Sequence, residues 1–148
     1  MIGKEFAKRL ALSAAVSLGL YACFGGAEDA PGDVETFDGI ADGETINALG
    51  NEPFWSAKIE TEKLTYTTPE NMAGDVVAVK RFAGNGGLGI SGELAGAPLH
   101  MAVTPGECSD TMSDRSYPFT VTLTLGETQL NGCAYTESQP YSGEETEG

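Results

Sequence analysis

The chain has 148 residues, 22 of them Asp or Glu against 8 Lys or Arg, and carries a net charge of −14 with its single histidine neutral. A surface of that sign repels phosphate backbones and anionic lipid head groups, which excludes nucleic-acid binding and electrostatic adhesion to a bilayer. The length suits one domain with tails.

The N-terminal 22 residues read as a targeting segment. Lys4, Lys8 and Arg9 supply a positive start, residues 10–20 are largely apolar, and Leu20-Tyr21-Ala22 leads into Cys23. That apolar run is too short and too rich in Ser and Gly for a bilayer-spanning helix, which needs about 20 apolar residues. Cleavage before Cys23 is therefore expected, taking the net charge from −14 to −16 by removing three bases and Glu5. The segment resembles the lipobox of bacterial lipoproteins, and Tyr21 is an unusual occupant of its second position. The resemblance implies a Cys23 bearing a diacylglyceryl group and an N-acyl chain such as palmitate, enough chains for firm anchoring. It also implies a cell-envelope location. Phe24 in place of aspartate after the cysteine points to the outer membrane, facing the periplasm. The alternative is an ordinary secretory signal with a free Cys23.

Residues 24–46 hold Glu28, Asp29, Asp33, Glu35, Asp38, Asp42 and Glu44 without a base, among Gly, Pro and Thr. Such a stretch buries too little apolar surface to offset chain entropy, so 23–46 is expected to be an acidic flexible tether. By the same reasoning, 136–148 is expected to be a disordered acidic tail. Between them, 47–135 forms the expected folded domain, with 10 acids against 5 bases.

Within that domain, period-two alternation dominates. In 119–125, Phe119, Val121, Leu123 and Leu125 alternate with three threonines, the signature of a half-buried antiparallel strand. Gly126-Glu127-Thr128 then makes a hairpin connection to a partner strand at 129–134. Further strands are expected at 54–60, 63–67, 76–82, 89–94 and 99–104, the last ended by Pro105-Gly106. Residues 109–116 have room for one helical or 3₁₀ turn capped by Ser109 or Ser113. Sustained helical periodicity is absent after Leu20. The fold class is thus all-β, a small antiparallel barrel or sandwich of about 6–8 strands.

A domain this small commonly needs a covalent staple, and an exported compartment is oxidising. With Cys23 lipidated, Cys108 and Cys133 remain, so a Cys108–Cys133 disulfide is expected. Two thiolates holding a metal is the weaker alternative, because no CxxC spacing or nearby histidine supports it. No cofactor is expected.

Two segments concentrate side chains capable of recognition: Gly50-Asn51-Glu52-Pro53-Phe54-Trp55, and Cys108-Ser109-Asp110-Thr111-Met112-Ser113-Asp114-Arg115-Ser116-Tyr117-Pro118 with a later Gly132-Cys133. Over about residues 46–135 they resemble an uncharacterised bacterial family of small lipoproteins and predicted membrane-associated proteins. Its marks are G-[NT]-E-P-F-W and C-S-D-x-M-S-D-x-x-Y-P followed by G-C. Thr111 stands where that resemblance leads one to expect glycine. The resemblance brings no activity, only company with small envelope β-domains that include lysozyme-inhibitor-like ones.

The candidate ligand-binding residues are Glu52, Trp55, Asp110, Asp114 and Arg115. Trp55 shares a face with Ala57 and Ile59, which makes it a core indole; alternatively it joins Glu52 at a barrel mouth to face a sugar or peptide. Asp110, Asp114 and Arg115 either shape a tight turn through Asx or Ser caps and an Asp–Arg pair, or present a binding loop. A calcium site would draw on the same carboxylates, but the EF-hand spacing and its closing glutamate are missing, so no metal is expected. His100 falls on an outer strand face with no nucleophile beside it in sequence, which argues against catalysis. The expected function is a lipid-anchored, non-catalytic envelope module that binds a cell-wall component or an envelope protein. The alternative is an inhibitor of a lysozyme-type hydrolase, with an enzyme as the third reading.

Overall fold

The computed structural model describes residues 35–143. The expectations for the targeting segment, for Cys23 and for the acidic stretches before 35 and after 143 lie outside the described residues.

Among the described residues eight strands run in chain order: β1 (Ile46–Asn51), β2 (Phe54–Glu60), β3 (Lys63–Thr68), β4 (Asn71–Ala83), β5 (Leu88–Leu94), β6 (Ala97–Ser109), β7 (Ser116–Leu125) and β8 (Thr128–Thr136). Each pairs antiparallel with its neighbour in sequence, and β8 pairs with β1, so the sheet closes into an up-and-down barrel. The barrel form of the all-β expectation is the one observed. Eight strands enclose a lumen just wide enough for side chains to fill. Here Ile46, Ile59, Leu64, Ile90, Leu99, Val103, Phe119 and Leu123 fill it. The alternation in β7 places Phe119, Val121 and Leu123 inside, as its sequence pattern requires.

Turn chemistry fixes the register. Gly126 takes φ +59 at the first position of the β7–β8 turn, and Ala95 and Gly96 both adopt positive φ between β5 and β6, as a right-twisted two-residue hairpin demands.

The first strand departs from expectation. Glu52 and Pro53 form the turn joining β1 to β2, with a cis peptide between them, ahead of the strand expected at 54–60. β1 escaped sequence reading because its inward residues are Ile46, Ala48 and Gly50 while the larger Leu49 faces out. β4 begins at Asn71, five residues earlier than expected, and β6 does not stop at Pro105-Gly106. It passes through them as a bulge, between Pro105 and Cys108, where a missing N–H costs no ladder bond.

The end of the barrel at which the chain enters β1 is plugged by a segment expected to belong to the tether. Phe37 N–H donates to the Gly84 carbonyl at 2.8 Å, and Ile40 is buried in the core cluster. Arg81 closes the same end by donating to the carbonyls of Thr61, Glu44 and Ile59 at 2.8, 2.7 and 3.0 Å. Thr136 is fully buried, and Ser142 bridges to Ser116, so 136–143 packs on the domain as well. Glu44 joins the two segments by accepting from the main-chain N–H and the hydroxyl of Ser138. Net acidity misled the reading of these edges, since a few apolar and capping residues suffice to hold them.

Candidate functional site

Beyond its bulge, the β6–β7 hairpin leaves the barrel wall and lies across the outer face of β8 towards β1. Two contacts hold it there. Cys108 is bonded to Cys133 with Cα atoms 5.6 Å apart, and Tyr117 packs on Tyr135 and Tyr141, ring centroids 6.0 and 5.6 Å away. Cys133 and Tyr135 flank the inward Ala134, which puts both on the outer face of β8.

The hairpin tip thereby meets the β1–β2 turn. Between them lies a cleft of about 270 Å³, lined by Asn51 and Glu52 on one side, Ser109, Asp110 and Thr111 on the other, and Asn131 with the disulfide along the floor. The two segments singled out in the sequence, more than fifty residues apart, form the opposite walls of one site.

Within the tip, Asp110 acts as an organiser. Its Oδ1 accepts from the N–H groups of Met112 and Ser113 at 3.0 and 2.8 Å, and its Oδ2 from the Ser113 and Tyr117 hydroxyls at 2.8 and 3.1 Å. Desolvation raises the Asp110 pKa, yet the bonds from Ser113, Met112 and Tyr117 outweigh it and hold the carboxyl below its ordinary value. Burial pushes the Tyr117 hydroxyl upward. The expected helical turn over 109–116 does not form, because Asx and Ser turns satisfy those N–H groups locally. Thr111 sits at φ +62, the left-handed region that favours glycine.

Trp55 does not face the cleft. It is 4% exposed, stacks on Tyr66 at 6.4 Å and lies inside the barrel. Its neighbours explain two glycines of the motifs. A Cβ on Gly50 would stand 2.1 Å from the indole Nε1, and one on Gly132 would stand 2.8 Å from Cζ2 and 2.0 Å from the Leu49 carbonyl. Both positions must be bare for the indole to fit under the cleft floor. Asp114 and Arg115 also lie away from the cleft, at the far edge of the tip, where the Arg115 guanidinium covers the Tyr141 ring at 4.3 Å from its centroid.

Of the five candidate binding residues, then, Glu52 and Asp110 line the cleft and the other three do not. Asn51, Ser109 and Thr111 are cleft residues that sequence reasoning passed over although they stand inside the motifs. Asn131 had no sequence signal beyond its outward place in the β8 alternation. His100 is exposed and lines a separate shallow groove of about 490 Å³ with Phe82, Gly89 and Ala102. Among the described residues, no three His, Cys, Asp or Glu side chains are grouped to hold a metal ion. Comparison with family models, with curated proteins and with solved structures found no match to this chain.

Proposed function

We propose that this protein is a lipid-anchored module of the bacterial cell envelope, held through Cys23, whose cleft binds a fragment of the cell wall without chemically altering it. The observation that carries the reading is the meeting of the two motif segments across one disulfide-pinned cleft. Its polar lining consists of amides, hydroxyls and two carboxylates: Asn51, Asn131, Ser109, Thr111, Glu52 and Asp110. That set offers donors and acceptors to the hydroxyls and amides of a saccharide–peptide and contains no basic group to select an anion. The only histidine lies in a different groove, which supports a binding role over acid–base catalysis.

Calorimetric titration with disaccharide–tetrapeptide fragments of the cell wall tests it, using the chain from Phe24 onward. Binding is expected, and Glu52→Ala and Asn131→Ala, both at exposed positions, are each expected to weaken it by about tenfold, the equivalent of roughly 1.4 kcal/mol. Equal affinity in the variants would remove the cleft from consideration. Anchoring is tested separately by Cys23→Ser, which is expected to release the protein from the membrane fraction.

One observation favours the second reading, an inhibitor of a lysozyme-type hydrolase. The four turns at one end of the barrel carry Glu52, Glu70 and Glu127 and no base, a surface that accelerates encounter with a cationic enzyme. Slowed lysozyme turnover on adding the protein would shift the assignment to that reading.

A further inference from the structure

Closure of the barrel leaves one strand half uncovered. β4 has 13 residues, but its pairing with β5 extends only over Val79–Ala83, whereas β3 covers it up to Asn71. Above Val79, among the described residues, β4 therefore has a neighbour on one side only. The Val79 N–H donates to Glu62 on the β3 side at 2.8 Å. Alternation turns the main-chain groups of Val77 the same way and those of Val76 away from β3, towards the open side. Asn71 takes the Gly74 N–H with its own side chain at 3.2 Å, closing the upper end and leaving 75–78 as the open stretch.

Natural sheets blunt such edges with lysine, proline or a covering element. Among the described residues this stretch has none of these; it carries the single charge of Asp75 and is flanked by apolar side chains. Val76 is 61% exposed, Met72 78%, and Phe54, two strands away on the same outer face, 53%. Met72 and Phe54 border a notch with Pro69 and Thr67.

We propose that β4 accepts an extended segment of a partner protein as an added strand beside Val76, with apolar side chains of that segment seated on Met72 and Val76 and basic side chains meeting the surrounding acids. The main-chain geometry specifies a strand and the flanking residues specify its pattern. Charge selects the occupant. Glu70 lies in the turn before β4, Asp75 lies on the open stretch, and Glu93 follows the last β5 residue to pair with β4, while the nearby bases, Lys63 opposite Ala78 and paired with Glu60, and Lys80, sit at the closed end of the stretch. In an antiparallel two-fold pairing centred on Val76, a second copy of this chain would place its Asp75 diagonally beside this one and add no base to the open stretch, whereas a lysine-bearing segment neutralises the carboxylate. This proposal concerns a different face from the cleft and does not rest on the cell-wall reading.

The test uses the full chain in detergent micelles and two capped octapeptides, one alternating valine with lysine and threonine, the other with glutamate in place of lysine. Amide hydrogen exchange is expected to slow at 75–78 with the cationic peptide and not with the anionic one. Val76→Lys, at an exposed position, is expected to weaken the cationic peptide by at least about tenfold, as an edge-blocking charge should. Val76→Pro deletes the open-side N–H and is expected to abolish binding; unchanged exchange in β6 and β7 verifies that this variant is folded. Equal slowing by both peptides, slowing confined to the cleft segments, or indifference to both Val76 variants would overturn the proposal. So would concentration-dependent self-association lost in Val76→Lys, which would assign the edge to a second copy.

Discussion

Thr111 holds a backbone angle that a β-branched residue adopts only under constraint, and here the constraint is local. Ser109 Oγ accepts its N–H at 3.2 Å, while the next two N–H groups are fixed by Asp110. A left-handed L-residue costs about 1–2 kcal/mol, and glycine returns some of that through greater freedom in the unfolded chain. Thr111→Gly is accordingly expected to raise stability by about 0.5–1 kcal/mol in urea titration; a loss of stability would mean that the threonine side chain contributes more than its angle costs. Gly132 presents the opposite case, since it cannot accept even one methyl group. An alanine there would press on both the Leu49 carbonyl and the Trp55 ring. Gly132→Ala is expected to cost about 1–3 kcal/mol or more by overpacking, with a change in Trp55 fluorescence because the indole must move. A variant as stable as the parent would show that β8 shifts outward freely, contrary to its covalent tie to β6.

At the level of the elements, legibility followed periodicity. β7 and β8 could be read because every inward position is apolar or small and the turn between them is led by glycine. β1 could not, because its alternation is inverted in size: Gly50 is inward to admit an indole that arrives from the next strand. The continuation of β6 through Pro105-Gly106 was hidden for a related reason, since residues that usually end strands also make bulges. The cleft was legible only as two unusual segments. Which of their residues face a ligand depends on how the β6–β7 hairpin folds back over β8, and that is decided by long-range closure of the disulfide. Replacing both cysteines with serine is therefore expected to cost about 3–4 kcal/mol from loop-closure entropy. It should also raise hydrogen exchange at 109–116 more than in β2 and β3. Equal loosening throughout would show that the disulfide stabilises the barrel as a whole rather than positioning the tip.

Across the whole molecule, the barrel is closed by its own flanking segments, and one carboxylate couples them. The Glu44 main-chain carbonyl accepts from Arg81 at the plugged end, and its side chain accepts from Ser138 and from the Ala41 N–H. The Ser138 hydroxyl is the largest influence on this carboxyl and, against some desolvation, holds its pKa below the ordinary value of 4.5. A carboxyl whose pKa is lower in the folded state stabilises the fold above the unfolded value, and that contribution is lost as pH falls through the folded one. The loss belongs to the window below about pH 4.5, and exposure of the group keeps it modest. Asp110 titrates in the same sense but in a different place, with its shift set by bonds inside the hairpin tip. Glu44→Gln preserves an acceptor for Ser138 while removing the charge. Its thermal midpoint is expected to fall less than that of the parent between pH 6 and pH 3, and the remaining acid sensitivity should localise to 109–117 in hydrogen exchange. If parent and variant lose stability in parallel, the charge of Glu44 contributes nothing to the closure, and the two flanking segments are held by their other contacts, among them Ile40, Arg81, Thr136, the Phe37–Gly84 bond and the Ser142–Ser116 bridge.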